Sequence, residues 1–329
     1  MTIKSLLLGS AAAMLAVSGA NAADAVFAAE PEPMEYVKVC DTYGNGFFYI
    51  PGTETCLNIN GYIRTEYIYT DNNIVETGDW RYRARLNIDA RNETDWGTLR
   101  SQLRIQGDGR ATDANAVIDR ALISIGGLRM GYSDLFFNTN HGYGWQRAAN
   151  DGYYDFDQGI LLDYTFAGNG FSATIGVQDT ASVGPVLTSS DPIDVYAGVS
   201  YSGSWGRVAG SVIYDTSADE MAWKVSANIT AIENLVINAW YQADNGGTPY
   251  VTGYLAPTVE WEWGVDVAYQ VNAQFAVWAG YTDADFTDAE RFGIGAIWNP
   301  VSGLSIRPEA VFGGGGNYTQ VRLRVVRSF

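Results

Sequence analysis

The chain has 329 residues and a formal net charge of -17, with 37 acidic side chains against 20 basic ones. So acidic a balance excludes a general nucleic-acid binder, because non-specific affinity for nucleic acid comes from neutralising phosphates. Hydrophobic residues make up 47% and aromatics 13%, with 21 Tyr and 10 Trp, yet beyond the first residues no stretch stays apolar for the roughly 20 positions a membrane-spanning helix needs.

The chain opens with MTIKSLLLGSAAAMLAVSGANA: Lys4, an apolar run from Leu6 to Val17, then Ala20-Asn21-Ala22. A charged start, a short apolar run and an Ala-x-Ala site describe a secretory signal peptide over residues 1–22. Residues 23–56 follow as an amino-terminal segment, with Glu30-Pro31-Glu32-Pro33 as an extended spacer. Cys40 and Cys56 enclose fifteen residues that include Gly44, Gly46, Pro51 and Gly52. In an oxidising compartment the pair is expected to close a disulfide, contributing about 3 kcal/mol for a loop of this size. Two thiols with no nearby His do not complete a metal site.

From residue 57 to the end the pattern alternates with a period of two. In 57–69 the odd positions are Leu57, Ile59, Gly61, Ile63, Thr65, Tyr67 and Tyr69, and the even ones include Asn58, Asn60, Arg64 and Glu66. WRYRARLNID, 80–89, sets Trp80, Tyr82, Leu86 and Ile88 against Arg81, Arg83 and Arg85. In 98–106, Leu99, Leu103 and Ile105 oppose Arg100, Gln102, Arg104 and Gln106. Two-faced segments continue at 117–126, 127–132, 159–166, 171–178, 193–201, 207–214, 220–229, 235–242, 261–269, 275–281, 291–298, 304–312 and 318–329, which makes sixteen strands.

Short links such as Gly126-Gly127 and Ala167–Gly170 alternate with generally longer polar ones near 70–79, 107–116, 133–158, 179–192, 215–219, 243–260, 282–290 and 313–317. This is the signature of an up-and-down meander. An even number of antiparallel strands can close into a barrel and lose both sheet edges. The apolar face carries aromatics at segment ends, among them Tyr67, Trp80, Tyr82, Tyr201, Tyr214, Trp263, Tyr281 and Trp298, where the two interfaces of a bilayer favour them. The other face is too polar to pack as a core. The expected fold is therefore all-β: a transmembrane antiparallel up-and-down β-barrel of sixteen strands over 57–329, with outer-membrane lipid outside and water within. Residues 23–56 then lie in the periplasm. The last strand, VRLRVVRSF, ends on an aromatic, with Arg327 interrupting its apolar side.

The signal sequence, the segment VKVC at 37–40, FYIPGTETC at 48–56 and the first strand, together with GNGFSA at 168–173 and the final RSF, resemble the alphaproteobacterial porin family. That resemblance implies a homotrimeric porin in the outer membrane of a Gram-negative bacterium, passing small hydrophilic solutes and ions by diffusion. It also implies one long loop folded into the lumen. The candidate is 133–158, the longest link, which follows the fifth segment.

If that loop enters the lumen, Asp134, Asp151, Asp155 and Asp157 become an acidic side of a constriction. The basic wall comprises Arg64, Arg81, Arg83, Arg85, Arg100, Arg104, Arg322 and Arg324, on strands one to three and sixteen. Opposed charges across a narrow aqueous gap set up a transverse field that favours dipolar solutes. The bland alternative makes these arginines solvated lumen residues tied to neighbouring carboxylates. Two further readings stay open: a solute-specific channel, and a non-conducting structural or adhesive barrel. No catalytic residue, metal or cofactor is expected; the one histidine, His141, stands in the long loop, and no acidic stretch has the spacing of an EF-hand.

Overall fold

A computed structural model describes residues 38–72, 76–110, 113–141, 158–179, 193–244, 248, 250–251, 259–285, 289–314 and 317–329. The expected signal peptide, the Pro-rich spacer and the loop residues Asp151, Asp155 and Asp157 lie outside them. Two compact units divide the chain, Met1–Lys38 and Val39–Phe329, and the sheet belongs to the second.

A short strand β1 (Phe47–Tyr49) precedes sixteen long ones: β2 (Cys56–Asp71), β3 (Glu76–Thr94), β4 (Gly97–Arg110), β5 (Asp113–Ile125), β6 (Leu128–Asp134), β7 (Gln158–Gly168), β8 (Phe171–Asp179) and β9 (Asp194–Gly203) make the first half. The second half is β10 (Gly206–Asp215), β11 (Glu220–Ile229), β12 (Leu235–Asp244), β13 (Trp261–Asn272), β14 (Phe275–Ala284), β15 (Arg291–Val301), β16 (Leu304–Gly313) and β17 (Tyr318–Ser328). Each of β2 to β17 pairs antiparallel with its sequence neighbour, and β17 pairs with β2, so the sixteen close into a barrel. Every segment read from alternation is one of these strands.

Closure has a specific lock. The backbone N–H of Gly61 donates to Phe329 O and that of Phe329 to Gly61 O, both at 3.1 Å. A Cβ on Gly61 would stand 2.1 Å from the Arg85 carbonyl oxygen, so no larger residue fits where the last residue meets the first barrel strand. β17 reaches only to Tyr62 of β2. Below that point β1 takes over the exposed edge, pairing Phe47 to Tyr49 with Asn58 to Cys56, which satisfies backbone groups that would otherwise be open to another chain. The disulfide Cys40–Cys56 fastens this hairpin to the barrel.

Several strands run beyond their expected ends: β3 covers Glu76–Thr94 rather than 80–89. Past the apolar band both faces of a strand meet water, so polarity stops alternating while backbone pairing continues. At the tightest links the turn chemistry is local. Asn169 and Gly170, the two residues between β7 and β8, have φ of 52° and 80°, the doubly left-handed geometry of a type I′ hairpin turn, which suits an Asn-Gly pair.

The outward face is apolar and exposed, with Trp80, Tyr82, Ile123, Met130, Phe166, Ile175 and Leu323 among its residues. Rings meet across neighbouring strands there, Tyr67 with Trp80 at 5.0 Å, Trp223 with Tyr241 at 5.1 Å and Trp263 with Tyr281 at 5.5 Å between centroids. Such cross-strand aromatic contacts contribute about 0.5–1.5 kcal/mol each beyond burial. Among the described residues no helix is long and apolar enough to cross a membrane.

Candidate pore lining and constriction

Strand parity places all eight expected arginines on the inner face. Pairing of β17 with β2 brings them into one wall, with Arg324 facing Glu66 in the register. None stands as an isolated charge. Arg83 meets Asp108 at 2.5 Å, Arg85 meets Asp119 at 3.4 Å, and Arg322 donates to Glu309.

The remaining carboxylates are shared. Registers set Arg81 opposite Arg110, Arg91 opposite Arg100 and Arg104 opposite Arg120, like-charge neighbours that would destabilise adjacent strands. One acid serves each of the first two pairs: Asp79 lies 2.6 and 3.1 Å from Arg81 and Arg110, and Asp89 lies 2.7 and 2.5 Å from Arg91 and Arg100. The third pair has two acids: Asp134 lies 3.0 Å from Arg104 and also accepts from Arg120, and Asp119, shared with Arg85, lies 2.7 Å from Arg104. Glu66 bridges Arg64 at 3.3 Å and Arg324 at 2.6 Å in the same way. Each trio of two guanidiniums and one carboxylate, around Asp79, Asp89 and Glu66, carries one net positive charge, as does the linked set of Arg85, Arg104 and Arg120 with Asp119 and Asp134, so the wall is both held together and basic.

Asp134 is therefore placed differently from its expected position. It is the last residue of β6, 3% exposed, and it joins the arginines instead of facing them. A bulge between Arg104 and Ile105 of β4 explains the geometry: Arg104 pairs with Arg120 and Ile105 with Ile118, so Asp119 is the extra residue on β5. Asp119 and Arg120 then both reach the network. Alternation hides such a site, because a bulge breaks the period on which the reading depends.

Beyond Asp134 the chain turns into α1 (Phe136–Thr139), a single helical turn, and meets the inner face of β9 to β11. Asn138 Oδ1 accepts from Lys224 Nζ at 3.0 Å, and Asn140 Nδ2 donates to Gly210 O at 3.0 Å and Ser211 Oγ at 2.9 Å. His141 Nδ1 lies 2.7 Å from Ser226 Oγ and its Nε2 lies 3.0 Å from Ser211 Oγ. Burial, followed by the charges of Lys224 and Arg207, holds the His141 pKa well below its ordinary value, so the ring is neutral at neutral pH. Phe136 stacks on Tyr196 at 5.1 Å, and Phe137 meets Tyr250 at 6.0 Å. Leu135, Ile213, Val251 and Val259 complete an apolar cluster inside the barrel. In a ring of sixteen, β10 and β11 stand eight strands from β2 and β3, so this anchorage is on the side opposite the arginines.

The porin subfamily profile matches residues 24–325. The chain belongs to the porin subfamily. Porin Omp2b of Brucella suis biovar 1 is 38% identical over 313 residues, covering 85% of this chain and 80% of that protein. Porin Omp2b of Brucella melitensis biotype 1 is 37% identical over 311 residues with the same coverages. Among solved structures, a mutant of the Rhodopseudomonas blastica porin aligns with TM-score 0.62 at 19% identity, over 83% of this chain and all of that one. The outer membrane channel DcaP of Acinetobacter baumannii aligns with TM-score 0.65 at 15% identity, over 85% and 99% of the two chains. These last two are similar in fold.

This porin is a β-barrel of the Gram-negative outer membrane and forms a general-diffusion channel for small hydrophilic solutes and ions. Its outer face is in lipid and its inner face in water. Sequence reading missed Arg91, Arg110, Arg120 and Arg307 in the lining. Arg91 and Arg110 keep the parity of Arg85 and Arg100 but lie past the ends assigned to those strands. Arg307 shares its parity with Ser305 and Glu309, and its Nε donates to Ser305 Oγ at 3.0 Å. Among the described residues no group of three or more His, Cys, Asp or Glu is placed to hold a metal ion.

Proposed function

We propose that solutes are filtered between the arginine wall and the loop that covers the opposite wall. The observation that carries this reading is the set of bonds from Asn138, Asn140 and His141 to inner-face residues of β9 to β11. They hold the start of the loop, residues 135–141, against that wall. Asp151, Asp155 and Asp157 then supply its acidic edge, facing Arg64, Arg81, Arg83, Arg85, Arg100, Arg104, Arg322 and Arg324. A transverse field orients dipolar solutes, and the width of the gap limits their size. Because each carboxylate trio remains net positive, the wall contributes field even though every one of these arginines has an acidic neighbour.

The same reading takes the mature protein as a homotrimer, with residues 1–22 removed on export and 23–56 on the periplasmic side. It needs no catalytic step, since His141 spends both ring nitrogens on serine hydroxyls that tie the loop down. The test is the reversal potential of single channels in a salt gradient across a planar bilayer. Ohmic steps without saturation are expected, and replacing Arg81, Arg83 and Arg85 together by Ser should move the reversal potential toward cation preference. An unmoved potential would refute the filter, and a folded protein that never conducts would refute the channel.

A further inference from the structure

Below α1, toward the end of the barrel with the short turns, the lumen holds an open recess of about 650 Å³. Its lining includes Arg100, Arg129 and Arg207 with the hydroxyls of Thr139, Thr165 and Thr174, and no carboxylate is among the lining residues. The acids that balance Arg100 and Arg129 stand behind them. Arg129 holds Asp163 in a two-pronged bond, Nε to Oδ1 at 2.8 Å and Nη2 to Oδ2 at 2.5 Å. The guanidinium side chain is 29% exposed while that of Asp163 is 0% exposed. Asp163 is also the acceptor for the Tyr196 hydroxyl at 2.6 Å. Arg100 is 32% exposed against 13% for its partner Asp89, which Arg91 also contacts. Arg207 donates to the backbone and side-chain oxygens of Asn140, so the inward segment forms the roof of the recess.

We infer that this recess is a retention site for doubly charged oxyanions of the phosphate class on the periplasmic side of the constriction. The chemistry follows from the arrangement. Guanidiniums fixed by buried carboxylates lose little further freedom on meeting a ligand, and their planar forks match the oxygen spacing of a tetrahedral oxyanion. Threonine hydroxyls donate to further oxygens. Low-dielectric walls around a basic pocket concentrate anions from the bath. The site shares Arg100 with the filter wall, while Arg129 and Arg207 belong to β6 and β10, outside that wall. It uses the channel reading only as the means of measurement.

Inorganic phosphate is the probe, in single-channel recordings with chloride as carrier at constant ionic strength, and in isothermal titration of the detergent-solubilised protein. Wild type should show a saturable fall in chloride current and a matching heat of binding. Arg129→Gln should raise the half-blocking phosphate concentration at least tenfold. Arg129→Lys, which keeps the charge without the fork, should give an intermediate value. Arg307→Gln removes one positive charge from the lumen outside both the recess and the eight filter arginines and should change it by less than twofold. Phosphate that acts no differently from added chloride overturns the site, and so does an Arg307→Gln effect as large as that of Arg129→Gln. A channel that fails to conduct refutes the filter instead, while the titration still decides whether phosphate binds.

Discussion

The two sides of the lumen solve one problem with different materials. On β2 to β5 and β17, polar inner-face residues stay in contact with water and hold one another by shared carboxylates, as Asp79 holds Arg81 and Arg110. On β9 to β11 the inner face is buried under the chain that follows β6, and its polar groups are used internally: Lys224 is fully buried, beside Asn138 and within 5.8 Å of the Phe137 ring centroid. The first wall is electrostatic and wet, the second a small hydrophobic core. A barrel wide enough to hold water needs such asymmetry, because an opening forms only where one side is filled and the other is kept from collapsing by charge.

The largest effect should come from removing the anchor of the filled side. Phe137 is fully buried, and Phe137→Ala should weaken attachment of the inward segment by about 3–5 kcal/mol. Single-channel conductance should rise and limited proteolysis should cut within 135–157, while the barrel stays folded. Unchanged conductance and protection would show that the apolar cluster does not set the pore. Next, the triple replacement of Arg81, Arg83 and Arg85 by Ser should change selectivity but leave conductance steps of similar size, since the loop opposite is untouched. A collapse of the open state would mean the arginines serve to prop the wall.

Mild acid should act first on the filled side. The buried His141 resists protonation, whereas the released ring takes a proton near the ordinary value of about 6.5. Anchorage from this group is therefore complete above that pH and falls as pH drops below it, by up to about 1.4 kcal/mol per pH unit. Hydrogen exchange of 135–141 should quicken below pH 6.5 in the wild type and lose that dependence in His141→Gln; an identical pH profile in the variant would assign the effect to other groups. The smallest change should follow Asp79→Asn, which adds one net positive charge at a partly exposed trio. A shift of a few millivolts toward anion preference is expected, and a shift the other way would contradict a basic wall.

Most of the barrel was legible because a strand with lipid on one side and water on the other must alternate, and a transmembrane barrel repeats that constraint in every strand. Arg81, Arg83 and Arg85 could be assigned to the lumen from parity alone. Asp134 could not: it follows a strand whose parity says nothing about which neighbour it will meet, and the bulge that brings Asp119 and Arg120 beside it leaves no mark in the hydrophobic pattern. The second polar layer, with Ser211, Ser226 and Lys224 receiving Asn138, Asn140 and His141, was equally hidden. Those contacts join positions about 70 to 86 residues apart.

The sequence by itself determined the strand number, the side of each strand that meets lipid, the cysteine pair and eight of the basic residues available to the lumen, because each depends on local spacing in a fixed environment. Tertiary structure decided which carboxylate neutralises which arginine, where Asp134 stands, and which wall the chain after β6 covers. Those outcomes depend on the register of strands around a closed ring and on contacts between distant segments, and neither is expressed in any short stretch of residues.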